Sequence, residues 1–216
     1  ATGSQRRPES AIRHFTDQGY AVLTFDMAGF GTRIEEAKNF YERYPHWSLM
    51  GKMVADTRSI INDAYTRMPF IDTSHIYLAG YSLGGTVALF TAALDARVKG
   101  IAVAAAFGSL RSNITGTEGI RHFSHLHGLI PRLGFFTGHV NNIPVDFDNI
   151  LECIAPRPLL IIAPEADRDH PLADVKKMVL PVSKTAGQLI LKTPADYNRF
   201  TEPMQQEIAE WLLKQK

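Results

Sequence analysis

The sequence predicts an α/β fold with a doubly wound, mostly parallel sheet. Short apolar runs typical of strands alternate along the chain with longer segments whose apolar residues recur at helical spacing. The 216 residues, of which 45% are hydrophobic and 21% charged, suffice for one domain with a sizeable core. We expect residues 1–216 to form a single domain, with a lid insertion at about 108–150, where little regular period is visible.

Five apolar runs are predicted to be strands, and the first of them is nearly continuous. A continuous apolar run is typical of a strand that is buried on both faces of a parallel sheet. The predicted strands are Tyr20–Phe25, Ile76–Gly80, Val98–Phe107, Pro158–Ala163 and Gln188–Lys192.

Helical spacing predicts the segments that alternate with these strands. A glycine-containing turn, Asp26–Thr32, follows the first strand, and Pro181 is expected to bend or end the helix that contains it. The predicted helices are Ser10–Gly19, Ile34–Tyr44, Ser48–Met68, Leu83–Leu94, Pro171–Thr185 and Thr201–Lys216.

Composition excludes several classes of function. A net charge of +1 argues against nucleic acid or an anionic membrane as a partner, and no apolar run is long enough to span a bilayer. Cys153 is the one cysteine, so no intrachain disulfide forms. Gly29-Phe30-Gly31 lacks the third glycine of a dinucleotide fingerprint, and we expect no cofactor. No signal peptide is predicted, and we expect a soluble protein that is either in the bacterial cytoplasm or secreted. A homo-oligomer is the alternative to a monomer.

Ser82 is the candidate nucleophile. It is the central residue of the G-x-S-x-G motif Gly80-Tyr81-Ser82-Leu83-Gly84, between a predicted strand and a predicted helix. We expect Gly80 and Gly84 to remove side chains that would clash in this tight turn, and the N–H of Leu83 to be an oxyanion donor. The bare motif also occurs by chance, but the strand before it and the helix after it favour the functional interpretation.

Asp167 is the candidate acid of a catalytic triad. In enzymes with a nucleophile elbow the triad runs Ser, then Asp or Glu, then His along the chain. The loop after the strand Pro158–Ala163 offers three carboxylates, and Asp167 is the best placed; Glu165 and Asp169 are the alternatives. A solvated loop acid paired with Arg168 is the non-catalytic interpretation.

No histidine occupies the place where the triad requires one. The loop between the last strand and the closing helix contains Asn198 there, and asparagine cannot take a proton at neutral pH. His170 is expected to be too close to Asp167 in sequence to fold back onto it. We expect the base to come from the lid and choose His127, although packing, capping or substrate contact are alternatives for each histidine of the lid. These are His122, His125, His127 and His139.

The same histidines could instead bind a metal ion. Only His122 and His125 have a spacing that suits one helical face, and metal ligands at helical positions need i, i+3 or i, i+4. We therefore expect no metal site.

Five segments carry a family resemblance: they are Phe25–Arg33, Gly80–Gly85, His127–Gly134, Ala155–Pro158 and Asp196–Phe200. Together they resemble bacterial α/β-hydrolases of the acetylxylan esterase and dienelactone-hydrolase-like group. The resemblance covers nearly the whole chain and implies a serine esterase that cleaves a small ester or deacetylates an acetylated carbohydrate such as xylan. It implies Ser82 as nucleophile and Asp167 as acid, and it implies that asparagine at position 198 is ordinary, which favours a base from the lid.

The resemblance also implies that N-terminal strands are missing. Such enzymes have a further central strand beside the elbow strand, which is the strand that leads into the nucleophile. The loop after this further strand supplies a second oxyanion N–H. We expect this chain to be a fragment of a longer enzyme, which makes a catalytically impaired hydrolase-fold fragment or a binding protein the alternative function. Peptide hydrolysis or lactone opening by the same residues is a third hypothesis, because a fold alone does not choose the substrate.

Overall fold

The computed structural model describes residues 8–112, 119–184 and 188–215. Short helical turns lie at Gly31–Ala37, Thr73–His75, His122–Leu126, Pro131–Phe136 and Val140–Asn142. The strands are β1 (Ile76–Tyr81), β2 (Val98–Ala104), β3 (Leu159–Ile162) and β4 (Leu189–Lys192). The helices are α1 (Pro8–Thr16), α2 (Phe40–Arg43), α3 (Leu49–Arg67), α4 (Leu83–Leu94), α5 (Phe147–Ile154), α6 (Leu172–Ser183) and α7 (Glu202–Leu213).

The four strands form one parallel sheet in the order β1-β2-β3-β4. A helix connects each strand to its neighbour, because parallel strands need a crossover connection. All four carboxyl ends therefore lie at one edge of the sheet, where ligands bind in open α/β sheets. This edge holds the loops that contain Ser82, Asp167 and Asn198.

Helices cover both faces of the sheet, which confirms the doubly wound fold. Side chains alternate along β2: Ile101 and Val103 join the larger core with α3, α4, α5 and α6. Ala102 and Ala104 face the other way, into a second cluster built on α7. Both clusters are buried, so the central strands are apolar on both faces.

The predicted strand Tyr20–Phe25 is wrong. The segment pairs with no described strand, and it lines, together with β1, a groove of about 1220 Å³. Leu23 and Phe25 are 51% and 39% exposed. A strand requires a hydrogen-bonded neighbour, and in the described part of the chain β1 has one only on its β2 side. The groove lies beside the elbow strand, where the family resemblance places an additional central strand.

The single helix predicted for Ile34–Tyr44 is also wrong. A short turn at Gly31–Ala37 is followed by the separate helix α2. Asn39 between them has φ 51°, a left-handed conformation that interrupts helical geometry. The short turn at Gly31–Ala37 is held by Arg33, whose guanidinium donates hydrogen bonds to the carboxylates of Glu36 and Asp56.

The lid segment contains an element that the sequence analysis missed. Helix α5 begins at Phe147, capped by the fully buried Asp146. The Asp146 carboxylate accepts hydrogen bonds from the Ser109 hydroxyl at 2.7 Å and from the Leu110 N–H at 2.8 Å. The start of the lid is thus attached to α5. Residues 113–118 of the lid, and the helix ends predicted at Thr185 and Lys216, lie outside the described residues.

The other predicted strands and helices are present with small changes in their ends. Helix α4 has the predicted bounds, and α3 begins after Ser48, whose hydroxyl accepts from the Gly51 N–H at 2.9 Å as an N-cap. None of the helices in the described ranges is long and apolar enough to cross a membrane.

Candidate active site

Ser82 occupies a strained turn between β1 and α4. Its backbone has φ 50° and ψ −124°, which a residue with a side chain adopts only when its surroundings enforce it. Its N–H donates to the Ala104 carbonyl at the end of β2 (2.9 Å), and its carbonyl accepts from Thr86 in the first turn of α4 (3.0 Å). Strand and helix thus fix Ser82 from both sides at the carboxyl edge of the sheet.

The glycines around Ser82 do not have equal roles. A Cβ on Gly80 would lie 2.4 Å from the Gly84 carbonyl carbon, and one on Gly85 would lie 2.6 Å from the Ala106 Cβ. Both positions therefore require glycine. The clash expected at Gly84 is absent, because a Cβ there meets nothing within 4 Å in the first turn of α4.

The first turn of α4 supplies polarised N–H groups beside Ser82. The helix begins at Leu83, and the first N–H groups of a helix have no acceptor within it. The positive end of the helix dipole adds to their field. That the Leu83 N–H is the oxyanion donor stays a prediction, and its position at the start of α4 is compatible with that role. Ser82 Oγ makes no hydrogen bond to another described residue.

Asp167 is the buried carboxylate of the loop between β3 and α6, residues 163–171, which we call the acid loop. Its side chain is 1% exposed, whereas Glu165 and Asp169 are exposed. Burial acts to raise the pKa of Asp167, but hydrogen bonds and charge from His170, together with the Asp169 N–H, outweigh it and hold the pKa below its usual value. The Asp169 N–H donates to Oδ1 at 2.9 Å. Asp167 is therefore ionised at neutral pH, as a triad acid must be.

His170 folds back onto Asp167, and the expectation that it would not is wrong. Its ring Nδ1 lies 3.3 Å from Asp167 Oδ2, and its side chain is 18% exposed. The tight turn makes this contact possible, because the His170 N–H also donates to Asp167 Oδ1, at 3.1 Å.

Asn198 lies against the acid where the triad histidine is expected. Its Nδ2 donates to Asp167 Oδ1 at 3.1 Å, and its Oδ1 accepts from the Tyr81 hydroxyl at 2.7 Å. Asn198 therefore contacts the predicted acid, but its amide supplies no base.

Two lid histidines lie together near the acid loop. The rings of His122 and His127 stack with their centroids 6.2 Å apart. Burial lowers the pKa of His122, which also feels the charges of Asp169 and His170. His127 is exposed. The choice of His127 as general base stays a prediction, because no described contact joins its ring to Ser82 or Asp167.

The backbone that carries His127 is anchored to α3. The Tyr41 hydroxyl donates a short hydrogen bond to the Gly128 carbonyl and accepts from the Leu49 N–H at 3.1 Å. The Met50 N–H donates to the Leu129 carbonyl at 3.0 Å. This part of the lid is therefore held in place by the start of α3.

The other two lid histidines, His125 and His139, make no described hydrogen bond to Asp167. His125 Nδ1 lies 2.5 Å from the Ser124 hydroxyl, and His139 is exposed. Among the described residues, no group of three or more His, Cys, Asp or Glu side chains is arranged to hold a metal ion.

The fold and the elbow define an α/β-hydrolase, and the comparisons with known proteins agree. The model of the serine aminopeptidase S33 family matches residues 3–146, and the chain belongs to this family. The chain is 31% identical over 170 residues to "Putative hydrolase YtaP" of Bacillus subtilis (strain 168). The aligned region covers 76% of this chain and 52% of that protein.

Two similar solved structures are esterases. An esterase of Pyrococcus furiosus has a TM-score of 0.69 at 17% identity, covering 95% of this chain and 74% of that one. A glucuronoyl esterase of Solibacter usitatus has a TM-score of 0.67 at 14% identity, covering 89% of this chain and 51% of that one. The chain thus spans about half the length of YtaP and of the glucuronoyl esterase, and these structural likenesses show the fold.

Proposed function

We propose that this chain carries the core of a serine hydrolase that cleaves carboxylic esters through an acyl-enzyme. The observation that supports this most directly is the backbone of Ser82, held at φ 50° between β1 and the first turn of α4. A strained serine in this place exposes its hydroxyl at the ligand-binding edge of the sheet and faces unpaired helix N–H groups.

In the proposed reaction, Ser82 Oγ attacks the ester carbonyl carbon while a histidine takes its proton. The carbonyl oxygen becomes an oxyanion that the Leu83 N–H stabilises. The tetrahedral intermediate then expels the alcohol, which receives the proton from the histidine and leaves the acyl group on Ser82. Water then gives a proton to the same histidine and attacks the acyl carbon, which forms a second tetrahedral intermediate. Its collapse breaks the bond to Ser82 Oγ and releases the acid, and the histidine returns the proton to Oγ. Asp167, ionised and buried, stabilises the charged imidazole.

The base in this scheme is His127. Two features support it: the anchoring of residues 127–129 to α3, and the stacking of its ring on His122 near the acid loop. His122, whose pKa burial lowers, remains neutral near pH 7 and so adds no positive charge beside His127.

Acetylated sugars, xylan among them, are the proposed substrates. Support comes from the family resemblance and from glucuronoyl esterases among the structures with a similar fold. The lid presents apolar side chains that suit an acyl or sugar pocket: Leu126 and Phe135 are 55% and 85% exposed.

Two alternative functions follow from specific observations. The matching family is described as serine aminopeptidases, which favours cleavage of an amide instead of an ester. Asn198 beside Asp167 favours a hydrolase fold that binds a ligand and catalyses little.

Hydrolysis of p-nitrophenyl acetate tests the proposal, with Ser82→Ala and His127→Ala as variants. His139→Ala is the matched control, because His139 is also an exposed lid histidine. We expect the Ser82 and His127 variants to lose on the order of a hundredfold or more in kcat/KM and the control to lose little. Faster cleavage of alanine p-nitroanilide than of the ester would favour the aminopeptidase. A wild type no faster than Ser82→Ala would favour the binding protein.

A further inference from the structure

We propose that Asn198 is a positioning residue that connects the nucleophile elbow to the acid, with Tyr81 orienting its amide and the amide orienting the Asp167 carboxylate. This inference rests on the proposed function for its catalytic meaning, although the relay itself is a matter of geometry. The three residues come from three different parts of the sheet: the end of β1, the loop after β3 and the loop after β4.

Tyr81 determines which way the Asn198 amide points. Its hydroxyl lies 2.7 Å from Asn198 Oδ1 and 3.1 Å from the Asn198 carbonyl oxygen. An amide whose oxygen accepts this bond must direct its NH₂ group the other way. The Tyr81 ring is itself fixed, since it stacks on Phe200 with centroids 5.4 Å apart and planes 11° from parallel.

The NH₂ group of Asn198 faces the acid loop. It donates to Asp167 Oδ1 at 3.1 Å and approaches Asp169 Oδ2 at 3.4 Å. A hydrogen bond to an ionised, buried carboxylate is stronger than one between neutral groups. Tyr81 therefore acts on Asp167 through the amide.

The two carboxylate oxygens of Asp167 have different hydrogen-bond partners. Oδ1 accepts from Asn198 Nδ2 and from the N–H groups of Asp169 and His170, whereas Oδ2 faces the His170 ring. With Oδ1 occupied, an imidazole that pairs with this acid must approach Oδ2. Asn198 thus orients the acid from the place where a triad histidine is expected, and it leaves proton transfer to another side chain.

The titration of Asp167 tests this relay directly and does not need enzymatic activity. The pKa is measured from the carboxyl ¹³C shifts of aspartate-labelled protein, for the wild type, Tyr81→Phe, Asn198→Ala and the double variant. Tyr77→Phe is the matched control, because Tyr77 lies on the same strand but its hydroxyl donates to the Gln215 carbonyl at 2.9 Å. His170 and Asp169 are the charged neighbours of Asp167, and all variants retain them.

We expect the Asp167 pKa to rise in Asn198→Ala and, by less, in Tyr81→Phe, because the ionised form loses a donor or a well-oriented one. The double variant is expected to match Asn198→Ala, since both changes break one chain of contacts. The rate at which a fluorophosphonate labels Ser82 should fall about tenfold in Asn198→Ala. Tyr77→Phe should alter neither quantity.

An unchanged Asp167 titration in both single variants, or additive shifts in the double variant, would overturn the relay. If the titration shifts as expected but the wild type is not labelled at Ser82, the relay stands and the proposed function fails. If the wild type is labelled but the titration does not respond, the proposed function stands and the relay fails. Tyr81→Phe removes a single oxygen atom and keeps the test decisive if Asn198→Ala does not fold.

Discussion

Gly80 and Gly84 touch across the nucleophile elbow so closely that the first has no room for a side chain. A Cβ on Gly80 would lie 2.4 Å from both the carbonyl carbon and the carbonyl oxygen of Gly84. These are backbone atoms and cannot move without moving α4. We expect Gly80→Ala to lower the free energy of unfolding by about 2 kcal/mol or more in urea denaturation.

Gly84→Ala is the matched control for that experiment. A Cβ on Gly84 meets nothing within 4 Å, and the residue lies in the first turn of α4. Replacing a helical glycine by alanine is expected to raise the free energy of unfolding by about 0.5 kcal/mol. Equal losses in the two variants would show that the elbow is not packed as described.

Asp95 should make the protein sensitive to acid. The Asp95 side chain is 4% exposed, and its carboxylate accepts two hydrogen bonds from the Arg97 guanidinium, at 2.9 and 2.7 Å. These hydrogen bonds lower the pKa of Asp95 to about 2. The ionised form is thereby stabilised in the folded state by about 2 kcal/mol relative to a pKa of 3.8. This stabilisation is complete above the unfolded-state pKa and is lost as the pH falls through the folded-state pKa.

Urea denaturation at pH 6 and at pH 3 checks this, comparing the wild type with Asp95→Asn. The variant should be less stable at pH 6, by on the order of 2 kcal/mol, and the difference should narrow at pH 3. Asp63→Asn is the control, because Asp63 is 42% exposed and pairs with Arg67 at 3.4 Å on the surface. If the difference in the free energy of unfolding between the wild type and Asp95→Asn were the same at pH 3 as at pH 6, the ionised Asp95 carboxylate would not be its cause.

Tyr41→Phe should loosen the lid segment that carries His127. The change leaves the Gly128 carbonyl and the Leu49 N–H without their shared partner, and Leu49 is buried. We expect a loss of about 1–3 kcal/mol in the free energy of unfolding. Tyr65→Phe provides the comparison, since the Tyr65 hydroxyl bonds the Thr73 carbonyl at an exposed site. Similar small losses in both variants would mean that Tyr41 does not anchor the lid.

Hydrogen exchange should distinguish β1 from β2. In a parallel sheet the amides of one strand point alternately to its two neighbours, and β1 has a described neighbour on one side only. Alternate amides of Ile76–Tyr81 should therefore exchange fast, while those of residues 101–104 in β2, which pair with a strand on both sides, are protected. Protection of β1 as uniform as that of β2 would show that the groove beside it is occupied in solution.

Most of the fold could be predicted from local patterns because the apolar spacing of these strands and helices reflects which of their faces are buried. Helix α4 and the buried strands β2 and β3 have the apolar periods that their burial requires. The segment Tyr20–Phe25 has the same pattern and forms no strand, since pairing depends on a neighbour that periodicity does not reveal. The sequence analysis missed α5, whose start was signalled by Asp146 as an N-cap.

The candidate site was predictable where motif and fold coincide, and less so where it depends on loops. The turn at Ser82 follows from the motif between a strand and a helix, and the loop that contains Asp167 follows from its place after β3. The contact of His170 with Asp167 depends on a tight turn that sequence distance argued against. The two bonds of Asn198 depend on where its loop meets the end of β1 and the loop after β3. The spacing Asp-x-x-His was the available signal for the first of these contacts.

Covalent labelling of the protein with a fluorophosphonate, followed by peptide mapping, tests the central claim most directly. We predict one adduct per chain, on the peptide that contains Ser82, and none in Ser82→Ala. The reagent reports an activated serine without depending on the choice of ester. Absence of labelling, or labelling of a different serine that persists in Ser82→Ala, would contradict the assignment of Ser82 as the nucleophile.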